Sequence, residues 1–575
     1  MGDFDYDYDN DNDSDNDNDN DNDNDNDNDN EYGYEYDNDY PQRCEERYFQ
    51  EKTIGENRMD TGAYSLIETA RNAGVEICFA NPGTTEMPMV AALERVPGMR
   101  VVLGLFEGVC TGAADGWARM RGRPAATLLH LGPGFANGIA NLHNARRART
   151  PVINWIGDHA TRHLAFDAPL TSDIAALTGT VGWTRTVRTA GEMAEASLAA
   201  VEAALGPPGR VASLIIPADC QWEPGPEPLI VTPSPRIREV PLPAIQEAAG
   251  LMRKGRGGIL LGGNALSGRG LRAAERIRSA TSCGVWIETF PSRQESGRHL
   301  PSFPALPYFP EPACQALSGL SSLVLAGARE PVAFFAYPDQ PSRFAPAGAT
   351  LCMLADPDEG MDAALALEAL AEEMDAPQVV LPARAVPEFA TSDRPLDPDT
   401  VCRAMAAFTP ENAIVVNEAA TTGLTWNAMH ASSAAPHTSF FITGGAIGQG
   451  LPNALGAALA CPERRVIAFQ ADGSGLYTVQ ALWSMAREGV DVTVVVCANR
   501  RYRILQVELA RAGIQKPGPK ALSLTDLTQP VIDWSALAKG FGLPACCVQT
   551  DRELADALVR SLADRGPSLI EAVLV

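Results

Sequence analysis

The chain has 575 residues and a formal charge of −26, and that length allows about three domains of ordinary size. Eighteen of the acidic side chains lie in residues 1–40, which hold no Lys or Arg, so the rest carries 54 acidic against 46 basic groups. A body so nearly balanced argues against an electrostatic nucleic-acid binder, and no apolar run reaches membrane-spanning length.

Taken in order, residues 1–58 are expected to form a disordered tail. The near-continuous Asp-Asn repeat from Asp9 to Asn30 has almost no apolar surface to offset the entropy of ordering. Residues 59–225 form a first α/β unit, with apolar strands expected at 75–79, 125–129, 152–156 and 211–217 between Ala-rich helices. A Pro-rich linker through Pro233-Ser-Pro235 leads to a second unit, 236–385, with strands expected at 258–264, 285–288 and 323–327. The third unit, 396–575, follows another Pro-interrupted stretch and ends on the apolar run 568–575. Alternating strand and helix throughout predicts three doubly wound parallel-sheet domains. The twelve cysteines show no CxxC pair, which predicts reduced, mostly buried thiols in a cytoplasmic protein.

The chemistry concentrates in the third unit. Val466-Ile-Ala-Phe-Gln-Ala precedes Asp472-Gly473-Ser474, and Val492-Thr-Val-Val-Val-Cys-Ala precedes Asn499. Both polar residues are therefore expected at the carboxyl ends of parallel strands, where α/β proteins bind ligands. A carboxylate and an amide oxygen meeting there can coordinate Mg2+ bridged to a diphosphate; a pair of loop caps would give the same spacing. Gly-rich turns at 132–134 and 262–268 lack the GxGxxG spacing and a later acidic residue, so neither reads as a dinucleotide fingerprint.

The Asp-Gly-Ser to Asn segment resembles the cofactor motif of thiamine diphosphate enzymes, with Ala471 and Ala498 replacing a usual Gly and Asn. Two further segments resemble that family. Gly104-Leu-Phe-Glu107 leads into Gly116-Trp-Ala-Arg119, and Thr443-Gly-Gly445-Ala-Ile447-Gly-Gln-Gly450 precedes Leu-Pro-Asn. The three signatures stand in the family's order over residues 60–575. Within the family the likeness is greatest to benzoylformate decarboxylase and acetolactate synthase large-subunit-like proteins. It rests on Asn81-Pro-Gly-Thr84 and on Leu128-Leu-His130, whereas Ala336 stands where the decarboxylase has a second histidine.

The resemblance implies roles for particular residues. Asp472, Asn499 and the backbone at Arg501 would hold Mg2+, while Gly473, Ser474 and Asn81 would border the cofactor. Ile447 would prop its bent form and Gly445 would offer a carbonyl to its amine. Glu107, expected in an apolar setting of Leu103, Leu105 and Phe106, would exchange a proton with the pyrimidine ring. His130 and Thr84 would act on the substrate; His143 and His159 have weaker claims. Phe441 and Leu505 would wall the substrate pocket. Arg500, Arg501 and Arg503 offer a guanidinium for a substrate carboxylate, or pair with acids such as Glu508.

The implied activity is nonoxidative decarboxylation of a 2-oxo acid, with acetolactate synthase-like carboligation as the alternative and a non-catalytic paralogue as a second. A homodimer or homotetramer would put Glu107 and Asp472 of different chains at one cofactor. FAD occurs in some relatives, and no residue here decides for it.

Overall fold

The computed structural model describes residues 60–575 apart from 235, 236, 383 and 386. The expected tail and one end of the Pro-rich linker thus lie outside the described residues. The first sheet takes β1 (Ile77–Asn81), β2 (Arg100–Leu103), β3 (Ala125–Leu129), β4 (Val152–Asp158), β5 (Trp183–Thr186) and β6 (Val211–Pro217), in the order β2-β1-β3-β4-β6-β5. All its pairings are parallel. β3, β4 and β6 are buried along their whole length, because helices cover both faces.

The next strands are β7 (Gly257–Leu261), β8 (Gly284–Ile287), β9 (Arg293–Ser296), β10 (Ser322–Ala326) and β11 (Thr350–Ala355). Four of these make the parallel central sheet, β11-β10-β7-β8. The fifth departs from the expected plan. β9 leaves the central unit and pairs antiparallel with β13 (His437–Phe441) of the third sheet. That sheet also holds β12 (Ala413–Glu418), β14 (Val466–Ala471), β15 (Val492–Ala498), β16 (Ala545–Val548) and β17 (Ser568–Val573), in the order β16-β17-β15-β14-β12-β13-β9. Its parallel interior agrees with the expected winding. The four residues of β9, Arg-Gln-Glu-Ser, have no apolar alternation to announce a strand, and only the edge of β13 makes them one.

The first and third sheets are joined by a crossing of two helices, Glu107–Arg121 and Gly450–Ala460. A side chain at Gly116 would reach within 2.2 Å of the Asn453 carbonyl oxygen, and one at Gly456 within 1.9 Å of Ala113 O. Glycine lets the backbones touch. The crossing is pinned by a buried ion pair, Arg119 to Asp115, bidentate at 2.9 and 2.6 Å. The remaining Arg119 donors reach Ser292 O of the central unit and Phe441 O and Thr443 Oγ1 of the third. One guanidinium therefore ties all three units together, and it sets the sheet edges that carry the site.

Candidate functional site

β14 ends on Ala471 and the chain turns at once into the short helix Asp472–Gly475, while β15 beside it ends on Ala498. Asp472 and Asn499 thus leave neighbouring strands at one edge, as the spacing predicts. Asp472 is 3 % exposed. Its Oδ1 accepts from Gly473 N at 2.9 Å and its Oδ2 from Arg500 N at 2.6 Å. Burial raises its pKa against these amides, so backbone dipoles hold a carboxylate short of full positive charge. Asn499 Oδ1 accepts from Arg501 N at 3.1 Å, and Arg501 O accepts from Arg503 N at 3.0 Å. Each of these oxygens keeps a lone pair. A carboxylate, an amide oxygen and a carbonyl are the hard donors Mg2+ prefers, and the residues present fit that ion.

Behind the turn, Ser474 Oγ accepts from Gln470 Nε2 at 2.8 Å and lies 3.3 Å from Ala471 O. Its hydroxyl is bound into the turn itself. Gly473 is packed against Tyr502, whose ring would lie 2.6 Å from any Cβ there.

The loop before Gly450 is organised by Glu418, a residue the sequence reading passed over. It ends β12, is buried, and receives Gly448 N at 2.6 Å, Gln449 N at 3.3 Å, and Gly450 N. Burial raises its pKa while those amides oppose the shift. The signal was available: an apolar run, Ala413-Ile-Val-Val-Asn, ends on a carboxylate at the carboxyl end of a strand, level with Gln470 of β14 and two residues short of Asp472. Gly445 has φ +78°, and its missing Cβ leaves room for the Phe334 ring, 2.4 Å away. Ile447 is half-buried in the same loop.

At the carboxyl edge of the first sheet, His130 follows β3 and Glu86 follows β1. Glu86 is fully buried, and its Oε2 lies 2.7 Å from His130 Nδ1 and 2.8 Å from Gly83 N. An acid on Nδ1 fixes that proton and leaves Nε2 to face outward. Thr85, not the expected Thr84, approaches the ring, with its Oγ1 3.4 Å from Nδ1. Thr84 is exposed and lines an open apolar cup of about 790 Å³ with Met87, His163, Phe166 and Trp222. Asn81 ends β1 beside Leu129.

Glu107 differs from expectation in its surroundings. β2 stops at Leu103, and Glu107 opens the helix Glu107–Arg121, where the helix dipole favours a carboxylate. It is half-buried, Leu105 is 44 % exposed, and Glu107 Oε2 accepts from Asn137 Nδ2 at 3.0 Å. The apolar sheath foreseen from Leu105 is absent within one chain because that side chain turns outward.

Among the remaining candidates, Leu505 is 47 % exposed on the helix Arg503–Arg511. Phe441 is only 3 % exposed, packed against His430 with ring centroids 5.9 Å apart. Glu508 bonds Tyr337 rather than an arginine. His143 lines a cavity of about 910 Å³ where the three units meet, and His159 Nε2 lies 3.0 Å from Pro169 O. In that cavity Glu288 covers the Gly262-Gly263 turn, bonding Gly263 N at 3.2 Å, and burial pushes its carboxyl up to about 7. No helix among the described residues is long and apolar enough to cross a membrane.

Comparison with known proteins bears on this geometry. Residues 60–178 match the thiamine pyrophosphate enzyme N-terminal TPP binding domain, and residues 421–572 match the corresponding C-terminal TPP binding domain. A Mycobacterium tuberculosis protein, provisionally named acetolactate synthase large subunit IlvX, is 48 % identical over 521 residues, covering 89 % of this chain and 98 % of its own length. Benzoylformate decarboxylase of Pseudomonas aeruginosa is 31 % identical over 551 residues, covering 89 % and 98 %. Among solved structures, the thiamine diphosphate-dependent 4-hydroxybenzoylformate decarboxylase of Rhodococcus jostii superposes with a TM-score of 0.79 at 26 % identity, covering 90 % of this chain and 99 % of that one.

Proposed function

The chain belongs to the thiamine pyrophosphate enzyme family, and from that premise we propose that it is a Mg2+-requiring lyase that releases CO2 from a 2-oxo acid without oxidation. The carrying observation is the His130–Glu86 pair at the edge of the first sheet. When bound, thiamine diphosphate supplies the electron sink for the carbon–carbon bond that breaks or forms. The protein's own residues do the rest. Asp472, Asn499 and the Arg501 carbonyl would hold the metal at the third-sheet edge. Glu418 fixes the loop that carries Gly445 and Ile447. Glu107, at the start of its helix, would hold and exchange a proton facing the bound cofactor. His130, oriented through Nδ1, presents Nε2 to the substrate as acid and base.

Carboligation of the acetolactate synthase kind is the second reading. It is favoured by the loop Phe334-Phe-Ala336-Tyr337, which brings no histidine to the site, and by the likeness to the M. tuberculosis protein. Both readings need a second copy of the chain. Within one chain Glu107 bonds Asn137 while Asp472 bonds Gly473 N and Arg500 N of its own sheet edge. The open cup beside Thr84 and the exposed Tyr477 beside the third-sheet edge are the surfaces a partner would cover. The test measures CO2 release from aromatic and branched 2-oxo acids beside acetolactate formation from pyruvate. CO2 release without acetolactate supports the lyase. Acetolactate as the main product transfers the assignment to the ligase.

A further inference from the structure

The helix Arg503–Arg511 begins four residues after Asn499 and carries Leu505, yet none of its residues is buried. A helix of nine residues with none fully buried does not hold a fixed position through its own backbone bonds. Its root is tied to the metal turn, since Tyr502 Oη donates to Gly473 O at 3.5 Å. Its far end is tied elsewhere. Tyr337 of the central unit donates its hydroxyl to Glu508 Oε1 at 2.9 Å. Arg511 makes a bidentate pair with Glu311, Nη2 to the two carboxylate oxygens at 2.8 and 3.0 Å. The same guanidinium stacks over Phe309 at 4.4 Å and over Tyr337 at 4.6 Å.

These contacts bring two apolar surfaces together. Phe334, three residues before Tyr337, packs on Gly445 of the cofactor loop, and Phe335 lies against it at 4.9 Å between ring centroids. Phe290 and Tyr308 brace Phe334 from behind at 5.9 and 5.6 Å. Leu505 sits three residues before Glu508, so the two share the helix face turned toward this loop. Phe334, Phe335 and Leu505 are 43 %, 55 % and 47 % exposed. They are large apolar groups left open beside a loop that binds a ligand, with no titratable side chain among them.

We propose that Tyr337, Glu508 and Arg511 form a clasp between the central and third units that holds Leu505 opposite Phe334 and Phe335, making one apolar wall that selects 2-oxo acids with a bulky apolar substituent. This rests on the lyase reading for the identity of the substrate but not for the clasp itself. Tyr337 is a positioning residue: it acts through the helix and has no proton to exchange with the substrate. The clasp couples selectivity to a contact distant in sequence from every cofactor signature.

The test compares the wild type with Tyr337→Phe, which keeps the ring under Arg511 and deletes only the hydroxyl, and with Glu508→Gln, which keeps an acceptor. Amide hydrogen exchange over 503–511 is expected to quicken about tenfold in Tyr337→Phe, the equivalent of one hydrogen bond to a charged group. Glu508→Gln should stay within about threefold of wild type on the same reasoning. With a bulky apolar 2-oxo acid, KM should rise about tenfold in Tyr337→Phe while kcat holds and pyruvate kinetics stay unchanged. Unchanged exchange over 503–511 overturns the clasp. Faster exchange with an equal KM change for bulky and small substrates overturns the selective wall. A wild type that turns over no 2-oxo acid removes the lyase reading and the substrate selection with it, while the exchange rates still judge the clasp.

Discussion

The carboxyl edges of the first and third sheets occupy equivalent places in two parallel α/β sheets, yet only the first gives an acid a titratable side-chain partner. At the first edge Glu86 meets a side chain, His130 Nδ1 at 2.7 Å, besides the Gly83 amide at 2.8 Å, and Glu107 stands half open at a helix start. At the third edge Asp472 and Glu418 are buried and satisfied by backbone amides. Side-chain partners that can gain and lose protons suit acid–base work. Amides cannot change charge, so a carboxylate they hold keeps its demand for a cation. An acid at or beyond a strand's carboxyl end is thus suited to proton transfer or to a metal according to what surrounds it.

The largest effect expected from breaking this contrast is at Glu107. Glu107→Gln should lower kcat about 10³-fold, within the usual range for a general acid–base group. Calorimetry should show thiamine diphosphate affinity little changed, because the metal edge is intact. Equal loss of binding and rate would show that the two edges do not divide the work.

The buried histidines of the third sheet give the next test. His430 Nδ1 lies 3.2 Å from His437 Nε2, and His437 Nδ1 lies 2.7 Å from Ala435 O. Burial lowers the His437 pKa from 6.5 to about 4. The unfolded chain therefore binds this proton more readily than the folded one. Stability is intact above about pH 6.5 and falls as the pH drops toward 4, by about 3 kcal/mol at the limit. Urea midpoints between pH 7 and pH 4.5 should show a steeper decline in wild type than in His437→Asn. Parallel declines would mean the pair contributes no such linkage.

Asp472→Ala should weaken Mg2+-dependent thiamine diphosphate binding about 100-fold, or roughly 2.7 kcal/mol. Far-ultraviolet circular dichroism should be unchanged, because the carboxylate bonds only two amides beyond the strand ends, Gly473 N and Arg500 N, and no amide inside a strand. The smallest effect is at the first edge. Glu86→Gln keeps an oxygen for His130 but removes the charge, and kcat should fall about tenfold, the value of one charge-assisted hydrogen bond. A loss as large as that of Glu107→Gln would make Glu86 a direct participant rather than the holder of His130.

Much of this was legible in the chain. Strands buried on both faces read as continuous apolar runs, so β3, β4, β6, β14 and β15 and the residues at their ends could be placed from local pattern. The strand ends put Asp472, Asn499 and His130 at the carboxyl edges of their sheets before any distance was known. The short strand β9 was not legible, since its four polar residues become a strand only against β13.

The sequence alone determined the winding of the three units and the placing of Asp472 and Asn499 at neighbouring strand ends, because each depends on residues within one strand and its turn. Tertiary structure decided the rest. Glu86 became the partner of His130 across 44 positions, and Glu418 became the anchor of the Gly448–Gly450 amides across 30. Tyr337 found Glu508 across 171. Those pairings follow from strand order and domain packing, which bring together groups whose own neighbours in the chain carry no sign of each other.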